Sequence, residues 1–160
     1  MPTLPQLFEE DIREIQNVLQ NLLSQCDATC ALVIDKGGFL ITHQGQSEQF
    51  DLTTLAALAS GAYLANQSIA QLVHENNFDS VYQQGERFSL LVMNVDQHCL
   101  LVLIFTSGIS AGSVKYYAAP ASRRIAAQLH VAHERAPGEG LDLSILNVAD
   151  TTAVFQRKRA

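Results

Sequence analysis

Two short segments made almost entirely of apolar residues constrain the fold of this chain most. Residues 30–34 read CALVI and residues 98–105 read HCLLVLIF. Runs this short and this continuously apolar are typical of β-strands that are covered on both faces. A tight turn joins each run to a strand-like neighbour, residues 39–43 and residues 88–95 respectively. The two runs therefore predict the centre of an antiparallel sheet.

The rest of the pattern completes that sheet and covers it with helices. Ser80–Gln84 is a fifth, more polar strand candidate, joined to residues 88–95 by another turn. Setting the two apolar runs side by side gives a five-stranded antiparallel sheet of order 2-1-5-4-3, counted along the chain, with the polar strands at its edges. Helical spacing of apolar residues predicts helices at about residues 4–24, at residues 52–74 and after residue 113. The expected fold is an α/β sandwich (α+β) with helices on both faces.

Composition sets the number of domains and excludes several classes of function. The chain has 160 residues, 48% of them hydrophobic and 16% charged, and a net charge of -6. These values predict one domain over residues 1–136 and a flexible C-terminal tail over residues 137–160, released by Pro137, Gly138 and Gly140. The acidic balance argues against a nucleic-acid or membrane partner. Three cysteines without a CxxC pair favour a reducing cytoplasm.

The second predicted helix has an unusual outer side. No charged residue occurs between Asp51 and Glu75, although a solvated helix face normally carries Lys and Glu. The apolar stripe expected to face the sheet comprises Leu55, Leu58, Ala59, Ala62, Ala65, Ile69 and Leu72. The far side carries Ala57, Gly61, Leu64 and Ser68, with Ser60 beside them. The missing charges predict burial against another protein or a second copy; burial inside the monomer is the alternative.

Motifs of enzymatic chemistry are missing from the sequence. It has no GxxxxGK[ST], no GxGxxG and no HExxH. His130 and His133 lie three apart on a predicted helix, but no carboxylate or cysteine joins them, so a metal site is not expected. Arg87 is the best-placed arginine finger, although a solvated turn residue is the simpler interpretation. We expect no catalytic residues and no cofactor or metal.

Five segments together resemble the Roadblock/dynein light chain family. They are residues 32–41 (LVIDKGGFLI), 51–61 (DLTTLAALASG), 75–78 (ENNF), 101–105 (LVLIF) and 110–114 (SAGSV). Within the family they are most similar to the bacterial branch that partners a Ras-like GTPase in gliding motility and cell polarity. The resemblance covers roughly residues 7 to 130, and it implies a Roadblock/longin-like fold.

The resemblance also implies an assembly and an activity. Family members are homodimers in which the long second helices pair and the edge third strands can join two sheets. Members of the bacterial branch activate GTP hydrolysis, with two protomers per GTPase, by rearranging the GTPase's own catalytic residues. The chain departs from the branch at Pro120, expected to kink or split the last helix, and in the tail.

Two sets of site residues follow from these arguments. The predicted partner-binding residues are Gly61, Leu64, Ala65 and Ser68, because Gly and Ser allow close backbone approach and Leu64 can fill a pocket. The predicted dimer interface comprises Ala57, Ser60, Ser80, Val81 and Tyr82. A non-catalytic scaffold subunit is the alternative function. A small-molecule sensor ranks last, since the strands offer mainly Ser89, Asn94 and His98 as polar groups.

Overall fold

Helices and strands alternate along the chain in the predicted order. The computed structural model describes residues 4–135 and 140–141. The elements are β1 (Leu4–Pro5), α1 (Glu9–Cys26), β2 (Cys30–Asp35), β3 (Leu40–Gly45), α2 (Leu52–Leu72), β4 (Ser80–Gln84), β5 (Phe88–Asn94), β6 (Cys99–Thr106), α3 (Ala111–Arg135) and β7 (Gly140–Leu141).

The main sheet has five antiparallel strands in the order β3-β2-β6-β5-β4. Counted along the chain within this sheet, that is the predicted order 2-1-5-4-3, which is confirmed. The two apolar runs form the adjacent strands β2 and β6, with Val33 opposite Leu101 and Leu32 opposite Val102. The edge strands β3 and β4 carry the more exposed residues. Their polarity suits a sheet edge, where only one side of the strand is paired.

Alternate residues of the central strands feed two separate cores. Val33, Leu101 and Leu103 pack on one face with the buried sides of α1 and α3. Leu32 and Val102 pack on the other face against α2. This division follows from the period of two along a strand. Among the described residues, α2 is the only helix on its face of the sheet, so its outer side has no further layer above it.

The first helix starts later than predicted. It begins at Glu9, and Leu4–Pro5 instead forms a short strand paired with Gly140–Leu141. The Phe8 backbone N–H donates to Asp11 Oδ2 at 2.7 Å, and this bond helps to fix the helix start. Release of the chain after Pro137 was predicted, but residues 140–141 return to pair with the N-terminal segment. The remainder of the predicted flexible tail, residues 137–139 and 142–160, lies outside the described residues.

Pro120 does not split the last helix. A single helix runs from Ala111 to Arg135 with Pro120 inside it. The proline is exposed, and it has no N–H to donate to the carbonyl of Tyr116 four residues earlier. The helix is held on its other side by fully buried Val114 and Ile125. Burial of that side therefore outweighs the loss of one helical hydrogen bond.

Candidate functional site

Helix α2 is delimited by local hydrogen bonds at both ends. The Asp51 carboxylate accepts from the Thr54 N–H at 3.1 Å and from the Thr54 hydroxyl at 2.7 Å. These bonds lower the pKa of Asp51 and satisfy a free amide of the first turn. At the other end His74 takes a left-handed conformation with φ 62°, and the Glu75 N–H donates to the Ala70 carbonyl at 2.9 Å. None of the 21 residues of α2 carries a charge.

Small residues hold the inner side of α2 close to the sheet. Ala56 and Ala59 are buried there beside Tyr63. Ser60, one of the predicted interface residues, is also buried, and its hydroxyl donates to the Lys36 carbonyl at 2.5 Å. Ser60 therefore presents little free surface in the single chain, and its assignment to the dimer interface stays a prediction.

All four predicted partner-binding residues lie on the outer side of α2. Gly61, Leu64, Ala65 and Ser68 are each exposed. A Cβ placed on Gly61 would meet no atom within 4 Å, so another backbone has room to approach there. Leu64 is 45% exposed. The sequence pattern placed these four residues on one surface, and the structure keeps them together and accessible.

The sheet-facing stripe was predicted wrongly for three of its large members, whereas Leu55 packs against the core of that face as predicted. Leu58 is 66% exposed, Ile69 48% and Leu72 80%, whereas Ala59 of the same predicted stripe is buried. Tyr63 and the alanines face the sheet instead. With no charged residue on the helix, hydrophobicity alone did not distinguish its two sides. The two sides differ in that the inner side packs closely on the β2–β3 turn, and this close packing favours small residues there.

These residues form one surface, which we call the outer face of α2. It comprises Leu58, Gly61, Leu64, Ala65, Ser68, Ile69 and Leu72. Eight large apolar side chains are exposed in the described residues, and five of them lie between Leu58 and Val73. Apolar surface concentrated in this way typically marks a protein-binding site.

The edge strand β4 provides a second open surface. Ser80 and Val81 are half-buried and Tyr82 is exposed. Within the described residues this strand pairs with β5 on one side only. Its other side leaves unpaired backbone groups that a second strand can extend. Ala57, the remaining predicted interface residue, is exposed on α2.

Arg87 lies apart from the other candidate groups predicted from the sequence, whereas His130 and His133 line one pocket of about 230 Å³ with His98. Arg87 is exposed on the β4–β5 turn, its guanidinium 5.9 Å from the Phe88 ring centre. The His130 Nε2 lies 4.0 Å from a Glu134 oxygen, whereas the His133 ring centre lies 6.5 Å from that of His98. The described residues contain no group of three or more His, Cys, Asp or Glu side chains placed to hold a metal ion.

The three cysteines are buried and unpaired. Burial raises the pKa of the Cys30 thiol to about 11, and it also raises the pKa of Cys26 and of Cys99. A buried thiol that resists ionisation is a poor nucleophile, which fits a packing role. No helix in the described part of the chain is long and apolar enough to cross a membrane.

The fold and the outer face of α2 define a class of protein: an α+β sandwich of the Roadblock/longin type, with one uncharged helix exposed on its sheet. The Roadblock/LC7 domain model matches residues 14–105, more than half of the chain. The chain therefore belongs to the Roadblock/LC7 family.

Solved structures identify the relatives within that family. A structure described as MglB with tetrameric arrangement is 30% identical, with a TM-score of 0.76, over 82% of this chain and 99% of that one. The gliding protein MglB of Thermus thermophilus is 31% identical, with a TM-score of 0.75 over the same shares. MglB of Myxococcus xanthus is 30% identical, with a TM-score of 0.73, over 79% of this chain and 95% of that one. No curated protein matches the chain.

Proposed function

We propose that this chain is a homodimeric regulator of a Ras-like small GTPase in the cytoplasm, acting as a GTPase-activating protein in bacterial motility or cell polarity. The observation that carries the proposal is the outer face of α2. It is long, uncharged and apolar, and no other described element covers it. Apolar side chains exposed to water do not gain the favourable free energy of burial. A partner that covers this face would provide it.

The comparisons support a role in motility. Three related structures at 30–31% identity are MglB proteins, and one of them is described as a gliding protein. Another is described as having a tetrameric arrangement, so at least one relative assembles beyond a single chain. The open edge of β4 and the outer face of α2 are the two surfaces through which this chain would do so.

The proposed mechanism uses the GTPase's own catalytic groups. The outer face of α2 carries no arginine, and α2 has no titratable side chain apart from the buried Tyr63. This surface can position a loop of a partner by packing, but it supplies neither a proton acceptor nor a cation for a developing phosphate charge. The proposed activation comes from reordering residues that the GTPase already contains, as the family resemblance implies.

Two copies of α2 side by side would form one shared surface for one GTPase. Gly61 and Ser68 would admit the partner backbone, and Leu64 would enter a pocket. A single GTPase lying across a twofold axis breaks the symmetry, which gives two protomers per GTPase. Ala57, Ser80, Val81 and Tyr82 are proposed to contribute to the contact between the protomers.

The test is GTP hydrolysis by Ras-like GTPases of the same organism, each assayed with and without the full chain. We expect one of them to hydrolyse GTP faster, with saturation near two protomers per GTPase. Binding with an unchanged rate of hydrolysis would replace the activator by the scaffold alternative. Neither binding nor acceleration for any of these GTPases would refute the proposal.

A further inference from the structure

A second surface lies across the sheet from α2, between α1 and α3. It is an open pocket of about 720 Å³. We call it the α1–α3 groove and define it by Asn21 and Gln25 of α1 and by Lys115, Tyr116, Arg123 and Arg124 of α3. Its volume lies within the usual range of small-molecule sites, roughly 300–1,000 Å³. Neither the fold nor the proposed GTPase contact accounts for it.

The groove is cationic although the chain is acidic overall. The net charge is -6, yet Lys115, Arg123 and Arg124 all line this one pocket. No acidic residue occurs on α3 before Glu134, and α1 carries no charge after Glu14. Among the described residues, none of the three cations has a carboxylate oxygen within 4.0 Å. The groove therefore concentrates positive charge that no described carboxylate pairs with directly, although Glu14 lines an adjoining pocket together with Arg124.

The helical spacing spreads these groups along α3. Tyr116 and Arg123 are seven residues apart and lie nearly in line along the helix, about 10.5 Å apart at 1.5 Å per residue. Lys115 and Arg124 flank this pair, each about 80–100° around the helix on either side. Ala119 and Pro120 lie between these groups and are too small to fill the groove. The spacing leaves room for a ligand that spans two helical turns.

Tyr116 gives the groove an aromatic element. Its side chain is 73% exposed, and its ring packs edge-on against Tyr117 with the ring centres 5.1 Å apart. The support from Tyr117 restrains the orientation of the exposed ring. Asn21 and Gln25 add amide groups on the opposite wall, and the Tyr116 carbonyl lacks its helical donor because Pro120 has no N–H. Hydrogen-bond donors and acceptors thus accompany the cations and the ring.

We infer that the α1–α3 groove binds a phosphorylated small molecule of the nucleotide class. Arg123, Arg124 and Lys115 would hold the phosphates, because guanidinium groups pair with phosphate oxygens in a bidentate manner. The base would stack on Tyr116, and the amides would bond its edge or the ribose hydroxyls. The inference does not depend on the proposed function, because the groove and the outer face of α2 are on opposite faces of the sheet.

Calorimetric titration of the full chain with ADP, GDP and inorganic phosphate tests this inference. We expect saturable binding of at least one nucleotide, and weaker binding of inorganic phosphate. Replacing both arginines, Arg123→Gln with Arg124→Gln, should weaken nucleotide binding at least about tenfold, and Lys115→Gln should weaken it less. Tyr116→Ala should weaken nucleotide binding while leaving inorganic phosphate binding unchanged, because phosphate has no ring to stack.

Arg87→Gln is the matched control, since it removes an exposed cation outside the groove. It should leave nucleotide binding unchanged, and thermal unfolding of every variant should stay near that of the parent chain. Absence of binding for both nucleotides would overturn the inference, as would equal loss in the Arg87 variant. Binding to phosphatidylglycerol vesicles that excess ADP fails to displace would also overturn it, and would assign the groove to a lipid headgroup instead.

Discussion

At the scale of single residues, the fully buried Asp11 accepts four hydrogen bonds. Its carboxylate accepts hydrogen bonds from the two terminal guanidinium nitrogens of Arg135, at 2.9 and 3.0 Å, and from the Gln128 amide at 2.8 Å. Arg135 also lies over the Phe8 ring, 4.3 Å from its centre. A buried carboxylate is tolerated because these donors replace its water. Asp11 thereby fastens the last turn of α3 to the first turn of α1.

The variant Asp11→Asn tests this arrangement. The asparagine amide is similar in size to the carboxylate but neutral, so Arg135 loses its buried charged partner and keeps only the exposed Glu10 carboxylate, 3.8 Å away. We expect the free energy of unfolding to fall by about 2–3 kcal/mol, toward the lower end for a broken buried pair because Arg135 is partly exposed. Urea unfolding at fixed protein concentration measures the loss. Glu14→Gln, an exposed change on the same helix, should alter stability by less than about 0.5 kcal/mol; similar losses in both variants would contradict the account.

The same contact predicts a pH dependence. Burial acts to raise the pKa of Asp11, but the hydrogen bonds from Arg135, Phe8 and Gln128 outweigh it and the pKa is lowered. A carboxyl group with a lower pKa in the folded state stabilises the fold above its unfolded pKa, and this stabilisation is lost as the pH falls. The stability gap between the parent chain and the Asp11→Asn variant should therefore be constant above about pH 5 and shrink below about pH 4. A gap that widens in acid would contradict this sign.

At the scale of elements, the close packing of α2 on the β2–β3 turn sets which side of the helix is left outside. Gly38 in that turn has φ 98°, and a Cβ there would lie 3.2 Å from the Cα of Ala57. Both the backbone conformation and the contact exclude a larger residue. The turn therefore fixes the height of α2 above the sheet, and small residues beneath the helix follow from it.

Gly38→Ala should destabilise the protein by about 1–2 kcal/mol, because alanine disfavours the left-handed region and would press on the α2 backbone. Gly108→Ala is the control: its Cβ would meet nothing within 4 Å and it lies in an exposed turn. Thermal unfolding of both variants provides the comparison. A Gly38 variant as stable as the Gly108 variant would show that α2 does not depend on this close approach.

The sheet was predictable from sequence because its signals are local. Short turns left little choice for the pairs β2–β3, β4–β5 and β5–β6. The central pair β2–β6 was predicted because both strands are continuous apolar runs. The helical stripe of α3 was equally clear, with Val114, Ala118 and Ile125 all fully buried. The polar residues of its outer side marked the side that faces water. The sequence therefore predicted both the helix and its orientation on the sheet.

The sequence did not predict which side of α2 faces the sheet, and it did not predict the short N-terminal strand. Without charges on α2, Leu58 and Leu72 resembled core residues, and the contacts that hold the opposite side of the helix on the sheet, such as Ser60 with the Lys36 carbonyl, are distant in sequence. The strand at Leu4–Pro5 exists through pairing with Gly140–Leu141, more than 130 residues away. Local periodicity carries no information about such contacts. The predicted partner residues were nevertheless placed correctly on the exposed side, because their small size was the signal used.

At the scale of the whole molecule, the sheet separates two surfaces of different chemistry. The outer face of α2 is uncharged and apolar, whereas the α1–α3 groove is cationic. The open edge of β4 lies at the end of the sheet, where a second sheet can be added. Such a layout allows a protein to associate with itself, with a protein partner and with a small anion on separate surfaces.

Self-association is expected through α2 and β4. Burying the exposed Leu58 and Leu72 of α2 contributes about 1–2 kcal/mol for each, and pairing of the open β4 edge adds backbone hydrogen bonds. Light scattering of the isolated full chain should give a mass near twice 17.5 kDa. A mass near 17.5 kDa at micromolar concentration would remove the homodimer from the account.

The central claim is that the outer face of α2 contacts the GTPase, and GTP hydrolysis with arginine variants of this face tests it most directly. Leu64→Arg and Ser68→Arg each place an unpaired charge in the contact, at a cost of about 3–5 kcal/mol, or more than about a hundredfold in affinity. Asn17→Arg, on the exposed side of α1, is the matched control.

We predict that all three variants dimerise, that the control accelerates hydrolysis as the parent chain does, and that the two α2 variants do not. Dimeric α2 variants that accelerate hydrolysis normally, or α2 variants that no longer dimerise, would contradict the assignment of this face to the GTPase.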